Sequence, residues 1–192
     1  SSSSVYGNQS SMMSEDTSLT RPISPYGVTK LAAENLVNLY FKNYGVPTIS
    51  LRYFTVYGPK QRPDMAFTRF FHSIIKDKKL IIFGNGEQTR DFTYVDDFVE
   101  GIILTLEGYW NKEYNISGGQ ETNIYDLAKF IINETGSNSK ISILDKEIAQ
   151  PQKVNLDISE IKKLGYSPKI SLWEGVRRNI DFLKNIIPSQ SS

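Results

Sequence analysis

The chain has 192 residues, with 22 Lys+Arg against 21 Asp+Glu, one His and no Cys. A net charge of +1 leaves no single-signed field to follow a phosphate backbone or an anionic bilayer, so neither nucleic acid nor membrane is the expected partner. Without Cys there is no disulfide framework, thiolate nucleophile or Cys-bearing zinc site, one His is too few for a His-rich metal centre, and no apolar run approaches the about 20 residues of a membrane span; a soluble, cytoplasmic protein is expected.

Val5 and Tyr6, after a serine run, read as the end of a strand, and residues 7–24, rich in Ser, Asn and Pro, read as a long loop of the kind that carries function. Ser24-Pro25 is an N-cap followed by Pro at the first helical position. Residues 26–43 then carry Val28, Leu31, Ala32, Leu36, Leu39 and Tyr40 before Gly45, which predicts a helix. Residues 48–54 are apolar without clean alternation, as in a strand buried on both faces of a parallel sheet. A loop with Gly58, Pro59 and Pro63 leads to a predicted helix over 65–76, then a short strand over 80–83 closed by Gly84-Asn85-Gly86. Residues 90–94 are expected to be extended, with Asp96 or Asp97 capping a helix that runs to 106.

The last third predicts a strand over 114–117, a turn at Gly118-Gly119, a helix over 124–134 capped by Thr122 or Asn123, and a strand over 140–144. Asp157-Ile158-Ser159-Glu160 resembles a capping box opening a short helix that Gly165 ends, and a final helix over 172–187 precedes a polar tail. His72, with no second ligand in reach by sequence, reads as a packing or surface residue, and the lysines at 76–79 as a solvated helix end. Alternating strand and helix places the chain in the α/β class.

Tyr26 and Lys30 stand four apart on the first helix, so both side chains leave one face a turn apart. An ammonium beside a phenol favours the phenolate, which makes such a pair a usable base near neutral pH. A bare Tyr-x-x-x-Lys also occurs by chance on ordinary amphipathic helices.

The pair is one of several spaced motifs. S-S-S-S-V-Y-G at 1–7, S-P-Y-G-V-T-K at 24–30, L-R-Y-F-T-V-Y-G-P at 51–59 and G-N-G-E-Q-T-R-D-F-T-Y-V-D-D at 84–97 occur in that order, with Y-N-I-S-G-G at 114–119 and L-G-Y-S-P-K at 164–169. Together they closely resemble the extended short-chain dehydrogenase/reductase family, and within it the NAD-dependent sugar-nucleotide epimerases and dehydratases. The resemblance implies the C-terminal part of a doubly wound, Rossmann-like parallel sheet plus a small α/β substrate-binding lobe. Residues 1–64 would be the remnant of the NAD-binding domain with the catalytic Ser/Tyr/Lys, 65–188 mainly the lobe with some segments returning to the sheet, and 189–192 a tail. No G-x-x-G-x-x-G or G-x-G-x-x-G follows a strand, so the dinucleotide fingerprint is missing and the chain is expected to be the C-terminal portion of a longer enzyme.

By that resemblance Tyr26 is the base for the hydroxyl at carbon 4 of the sugar. Lys30 holds the nicotinamide ribose, Ser2 hydrogen-bonds the reacting oxygen, and Tyr53 joins Tyr26 and Lys30 at the cofactor, NAD. Ser3 and Ser4 stand where related dehydratases carry an Asp-Glu pair and related decarboxylases a Glu, which leaves the oxidise, rotate and reduce cycle of a 4-epimerase as the expected reaction. Arg90 matches the arginine that pairs with the substrate diphosphate, although a pairing with Asp91 or another carboxylate is the plainer reading. Phe83 matches the position packed on uracil, although a Phe ending an apolar strand belongs to the core by default, and Asp97 reads as a cap rather than a ligand. Thr55, where galactose-type enzymes commonly carry Asn, and Arg62 resemble the UDP-glucuronate 4-epimerases, with Ser3, Ser4 and Thr55 offering hydroxyls to the sugar carboxylate. UDP-glucuronate is thereby placed slightly ahead of UDP-glucose or UDP-galactose. The second diphosphate clamp is not visible in residues 149–154, where Lys153 could substitute as a point charge. The helix over 26–43 resembles the family's dimer helix, so a homodimer is implied for the full-length form. The alternatives are a non-catalytic sugar-nucleotide-binding or assembly domain, and a dehydratase or decarboxylase.

Overall fold

The computed structural model describes residues 1–9, 12–144, 153 and 155–186; the predicted tail and all of 149–154 except Lys153 lie outside them. In chain order come α1 (Pro25–Tyr44), β1 (Ile49–Tyr53), β2 (Val56–Tyr57), α2 (Ala66–Ile75), β3 (Leu80–Phe83), β4 (Thr89–Asp91), β5 (Thr93–Tyr94) and α3 (Val95–Leu106). They are followed by β6 (Lys112–Ile116), β7 (Glu121–Asn123), α4 (Ile124–Thr135), β8 (Ile141–Leu144), α5 (Ser159–Lys162) and α6 (Leu172–Ile186). β1 pairs with β6, β2 with β5 and β3 with β8, all parallel, whereas β4 and β7 are antiparallel. No described helix is long and apolar enough to cross a membrane.

The β1–β6 pair has two chemically different faces. Ile49, Leu51 and Tyr53 alternate onto one face and pack with Tyr114, Ile116 and the residues of α3 and α5. The opposite face carries Ser50, Arg52, Glu113 and Asn115, and α1 lies there: Arg52 bonds Glu34, and Glu113 accepts from Asn38 Nδ2 at 3.1 Å. The strand is buried on both sides as the composition implied, but only one side is apolar.

The larger apolar cluster draws on residues from Tyr57 to Ile180 and joins α2, α4 and α6 to β3, with Phe67, Phe71, Leu80, Leu127, Ile131 and Val176 fully buried. Tyr57 ties β2 into it, stacking on Phe67 with centroids 4.6 Å apart and donating from its hydroxyl to the Leu172 carbonyl at 3.2 Å.

α1 begins and ends as its sequence requires. Ser24 Oγ accepts from Gly27 N at 3.1 Å, Pro25 fills the first turn, and Gly45 at φ 66° closes the helix in the left-handed conformation. Asn123, not Thr122, caps α4, accepting from Tyr125 N at 2.7 Å.

Three expectations need correction. Val5 and Tyr6 do not end a strand: Ser3–Val5 form a 3-10 turn, with Ser2 Oγ accepting from Ser4 N. Short hydroxyl side chains offer the backbone local partners that compete with a sheet ladder. Asp97 does not cap α3; it is buried in the first turn and accepts from the backbone N–H groups of Lys169 and Ile170 at 2.9 and 3.1 Å, stapling α3 to the approach of α6. The capping box at 157–160 is half formed. Asp157 accepts from Ser159 N, while Glu160 turns to Lys112 and Lys163.

Gly27 lets the first turn of α1 press on the serine turn, since a Cβ there would stand 2.6 Å from the Ser4 carbonyl oxygen and 2.8 Å from Pro22 Cβ. Alanine in mid-helix is favoured over glycine by about 1 kcal/mol, but a backbone carbonyl cannot rotate away from an added methyl. Gly27→Ala is therefore expected to lower stability by about 1–2 kcal/mol in urea unfolding, and an unchanged or raised midpoint would show that this contact is soft.

Candidate active site

Two short segments meet at the Gly27–Ser4 contact. On one side is the first turn and a half of α1, where Tyr26 is 52 % exposed and Lys30 Nζ lies 5.5 Å from the Tyr26 ring centroid. On the other is the serine turn. Ser2 is buried, its Oγ accepting from Ser4 N and donating to Ser4 Oγ, each at 3.2 Å. Ser3 is only 4 % exposed, and its Oγ has no hydrogen-bond partner among the described residues. A buried hydroxyl without a partner costs about 1–3 kcal/mol, and a ligand oxygen could relieve that cost. The site thus unites a phenol, an ammonium and three hydroxyls, with no carboxylate at the serine positions.

The site is held from behind. Gly27, Leu31, Glu34 and Asn38 recur at helical spacing and form the inner seam of α1, Gly27 and Leu31 against the segment of Ser4, Val5 and Tyr6, and Glu34 and Asn38 against β1 and β6. Glu34, 3 % exposed, receives two bonds of 2.8 Å from Arg52 Nε and Nη2, and Arg52 Nη1 donates to the Tyr6 hydroxyl at 3.0 Å. That hydroxyl donates to Asn115 Oδ1 at 2.9 Å, and Asn115 Nδ2 donates to the carbonyls of Met13 and Asp157. Burial pushes the Tyr6 phenol above its ordinary range, against the opposing pull of Arg52, so it stays neutral and donates. None of this network was singled out from the sequence, although an arginine inside an otherwise apolar strand is a readable signal of a buried partner.

The remaining predicted residues are spread over other elements. Tyr53, at the end of β1, packs edge-on against Phe98 with centroids 4.9 Å apart. The Thr55 carbonyl accepts from Thr93 N at 3.1 Å, joining β2 to β5 just beyond the sheet. Arg62 is solvated and pairs with Asp64 at 3.0 Å, both side chains at least two-thirds exposed. Phe83 is half-buried and outside the three apolar clusters, so it is not the core residue its position suggested. Its carbonyl accepts from Gln88 Nε2. Arg90 lies on β4 opposite Thr122, donates from Nη1 to the Thr89 carbonyl at 2.7 Å, and is held below its ordinary range by burial. Lys153, His72 and the lysines at 76–79 are exposed.

Beside Arg90, Asp91 is completely buried. Its Oδ2 accepts from Ser117 Oγ at 2.7 Å, and the backbone N–H groups of the turn after β6 face the carboxyl without giving Oδ1 a well-aligned partner. Burial outweighs these donors and pushes Asp91 up to about 7.

Parallel strand pairs flanked by helices define an α/β, Rossmann-like fold. The chain belongs to the NAD dependent epimerase/dehydratase family, whose model matches residues 1–117. It is 41% identical over 189 residues to a Bacillus subtilis protein described as an uncharacterized UDP-glucose epimerase, covering 97% of this chain and 60% of that one. It is 39% identical to a UDP-glucuronate 4-epimerase of Thermodesulfobacterium geofontis, covering 97% and 58%. Among solved structures, UDP-glucuronic acid 4-epimerase from Bacillus cereus in complex with UDP-glucuronic acid and NAD superposes with a TM-score of 0.91 at 42% identity, over 97% of this chain and 60% of that one. The chain spans about 60% of the length of the relatives it matches.

Asp91 gives the site's surroundings a pH dependence. A carboxyl near 4 when unfolded and near 7 when folded favours the folded state only while protonated, so its contribution is complete below about pH 4 and lost as pH rises through 7. Urea unfolding between pH 4 and 8 should show Asp91→Asn gaining stability relative to the wild type as pH rises, by up to about 4 kcal/mol. A difference independent of pH would refute the buried-carboxyl assignment.

Proposed function

We propose that this chain carries the proton-transfer and substrate-gripping residues of an NAD-dependent UDP-sugar 4-epimerase, with UDP-glucuronate slightly ahead of UDP-glucose or UDP-galactose. The observation that carries this reading is the abutment of the Tyr26/Lys30 turn on the serine turn at Gly27 and Ser4, together with the partnerless buried Ser3 hydroxyl. NAD, when bound, supplies the acceptor and donor of hydride. Tyr26, assisted by the neighbouring Lys30 ammonium, takes the proton of the hydroxyl at carbon 4 as that carbon is oxidised, and returns it when the ketone is reduced on its other face. Ser2 holds the reacting oxygen, being donor and acceptor at once.

Ser3 and Ser4 cannot perform the acid and base steps of dehydration at neutral pH, which favours epimerisation over the dehydratase alternative. With Thr55 they are hydroxyl donors suited to a sugar carboxylate, while Arg90 is assigned to the diphosphate, Phe83 to the uracil, Arg62 to the sugar and Tyr53 to the cofactor. Residues 1–64 would then belong to the cofactor-binding sheet and 65–188 mainly to the substrate lobe, with β6 returning to the sheet beside β1. The outer stripe of α1, with Val28, Leu36, Leu39, Tyr40 and Tyr44 exposed, supports a dimer built on that helix.

Coexpression of this chain with a dinucleotide-binding half from a matching relative, assayed with UDP-glucuronate and UDP-glucose separately, is expected to yield the C4 epimer of at least one. Tyr26→Phe is expected to lower the rate by about 10²–10⁴-fold. No epimer from either sugar would refute the epimerase reading. The alternative is a sugar-nucleotide-binding domain without catalysis. Calorimetry on the chain alone separates the two, because tight UDP binding with no turnover in the coexpressed assembly is the outcome that only the second predicts.

A further inference from the structure

α1 is an unusual helix to carry a reacting pair, because none of its large apolar side chains is fully buried. Val28, Leu36, Leu39 and Tyr40 are each more than half exposed, and the buried residues of α1 are Gly27 and Glu34. The face of β1–β6 beneath it is polar, and the apolar side chains on the inner side of the helix, Leu31, Val37 and Phe41, are only half-buried, so little apolar interlocking resists a roll of the helix about its axis. At 3.6 residues per turn, Lys30 and Tyr26 lie to one side of the seam, about 70° and 110° from its centre. A roll of about 20° would move a side-chain tip 5–6 Å from the axis by about 2 Å, enough to misplace a proton acceptor, since errors near 1 Å are already felt in catalysis.

We propose that Glu34 and Arg52 are positioning residues: their two-pronged ion pair sets the rotation of α1 and so fixes Tyr26 and Lys30 against the serine turn. Planar geometry suits the task. Two parallel bonds of 2.8 Å between a guanidinium and a carboxylate define an orientation, which a single bond or an apolar contact does not. Arg52 is itself immobilised, because its third donor holds the Tyr6 hydroxyl and its guanidinium carbon lies 5.0 Å from the Tyr6 ring centroid. Tyr6 directly follows the 3-10 turn of Ser3–Val5, so one guanidinium registers both halves of the site, α1 through Glu34 and the serine turn through Tyr6. Asn115 extends the registration to β6 and to the segments at Met13 and Asp157.

This inference rests on Tyr26 and Lys30 being the working pair, but its test involves no turnover, so its failure leaves the epimerase reading standing, and a missing epimer leaves this test unaffected. The full chain is labelled with 3-fluorotyrosine at its 11 tyrosines, and the Tyr26 fluorine resonance is assigned by its disappearance in Tyr26→Phe. The double variant Glu34→Leu with Arg52→Met replaces the pair by apolar groups of similar volume, a change that often preserves stability. The expected result is a folded protein, reported by an unchanged resonance of the buried Tyr57, whose Tyr26 resonance moves toward that of free 3-fluorotyrosine or splits. A purely structural pair would lower the melting temperature and leave the Tyr26 resonance where it was; that outcome overturns the proposal. Should the double variant fail to fold, Arg52→Lys decides, because it keeps the charge and loses the fork. The Tyr26 resonance is expected to shift, and an unshifted one in folded Arg52→Lys overturns the proposal equally.

Discussion

The ion pair between Arg52 and Glu34 is the constraint on which the rest of the site depends. Both groups are almost completely removed from water, which is expensive for each alone. The structure makes it tolerable by satisfying the guanidinium on three sides, with both carboxylate oxygens and the Tyr6 hydroxyl, and by continuing the chain of donors to Asn115. Removing either partner would leave an uncompensated buried charge, at a cost of about 3–5 kcal/mol. An apolar helix face on an apolar sheet face would be simpler. Here one face of the β1–β6 pair is apolar and the other is given to polar residues that specify where a helix sits.

From that constraint the geometry follows outward. Leu31 supplies the apolar contact of the seam, Gly27 its closest approach, and Asn38 reaches Glu113 at its far end. The close approach at Gly27 brings the turn bearing Tyr26 and Lys30 onto Ser4, while Tyr6 anchors the serine turn from the other side. The cluster that joins α2, α4 and α6 to β3 is organised differently, around aromatic and aliphatic packing, while Asp97 accepts from the backbone of Lys169 and Ile170 and Asp91 from Ser117 Oγ. Asp91 stands next to Arg90, so the strand assigned to the diphosphate also carries a fully buried carboxyl that burial holds above its ordinary range. Dispersion packing around α2, α4 and α6 and directed polar bonds around α1 suit the division proposed for them: a loose grip on a turning sugar and fixed groups where protons move.

Local signals were legible wherever chain neighbours decide the outcome. Ser24-Pro25 and Gly45 bound α1 because capping and left-handed φ are short-range matters, and the spacing of Tyr26 and Lys30 follows from the helix alone. The motifs from the serine run to the Tyr-Asn-Ile-Ser-Gly-Gly stretch gave the family and fold class, which the matching model and the superposition bear out. Illegible were the features made by distant partners. Arg52 and Glu34 are 18 residues apart, Tyr6 and Asn115 are 109 apart, and neither pairing has a periodicity to reveal it. Asp97 was misread for the same reason: a first-turn Asp looks like a cap unless the backbone of Lys169 and Ile170 is known to lie above it. Val5 and Tyr6 were misread because β-rich letters after a polar run suggest a strand, whereas the serine hydroxyls supply a tighter local turn.

The direct test of the central claim is a double-mutant cycle on Glu34 and Arg52, with Glu34→Leu, Arg52→Met and the double variant compared with the wild type by urea unfolding. Coupling through a buried, two-pronged pair predicts that each single change costs about 3 kcal/mol or more and that the double variant costs clearly less than their sum. Additive losses would show that the two residues act independently, and α1 would then be held by something other than the pair.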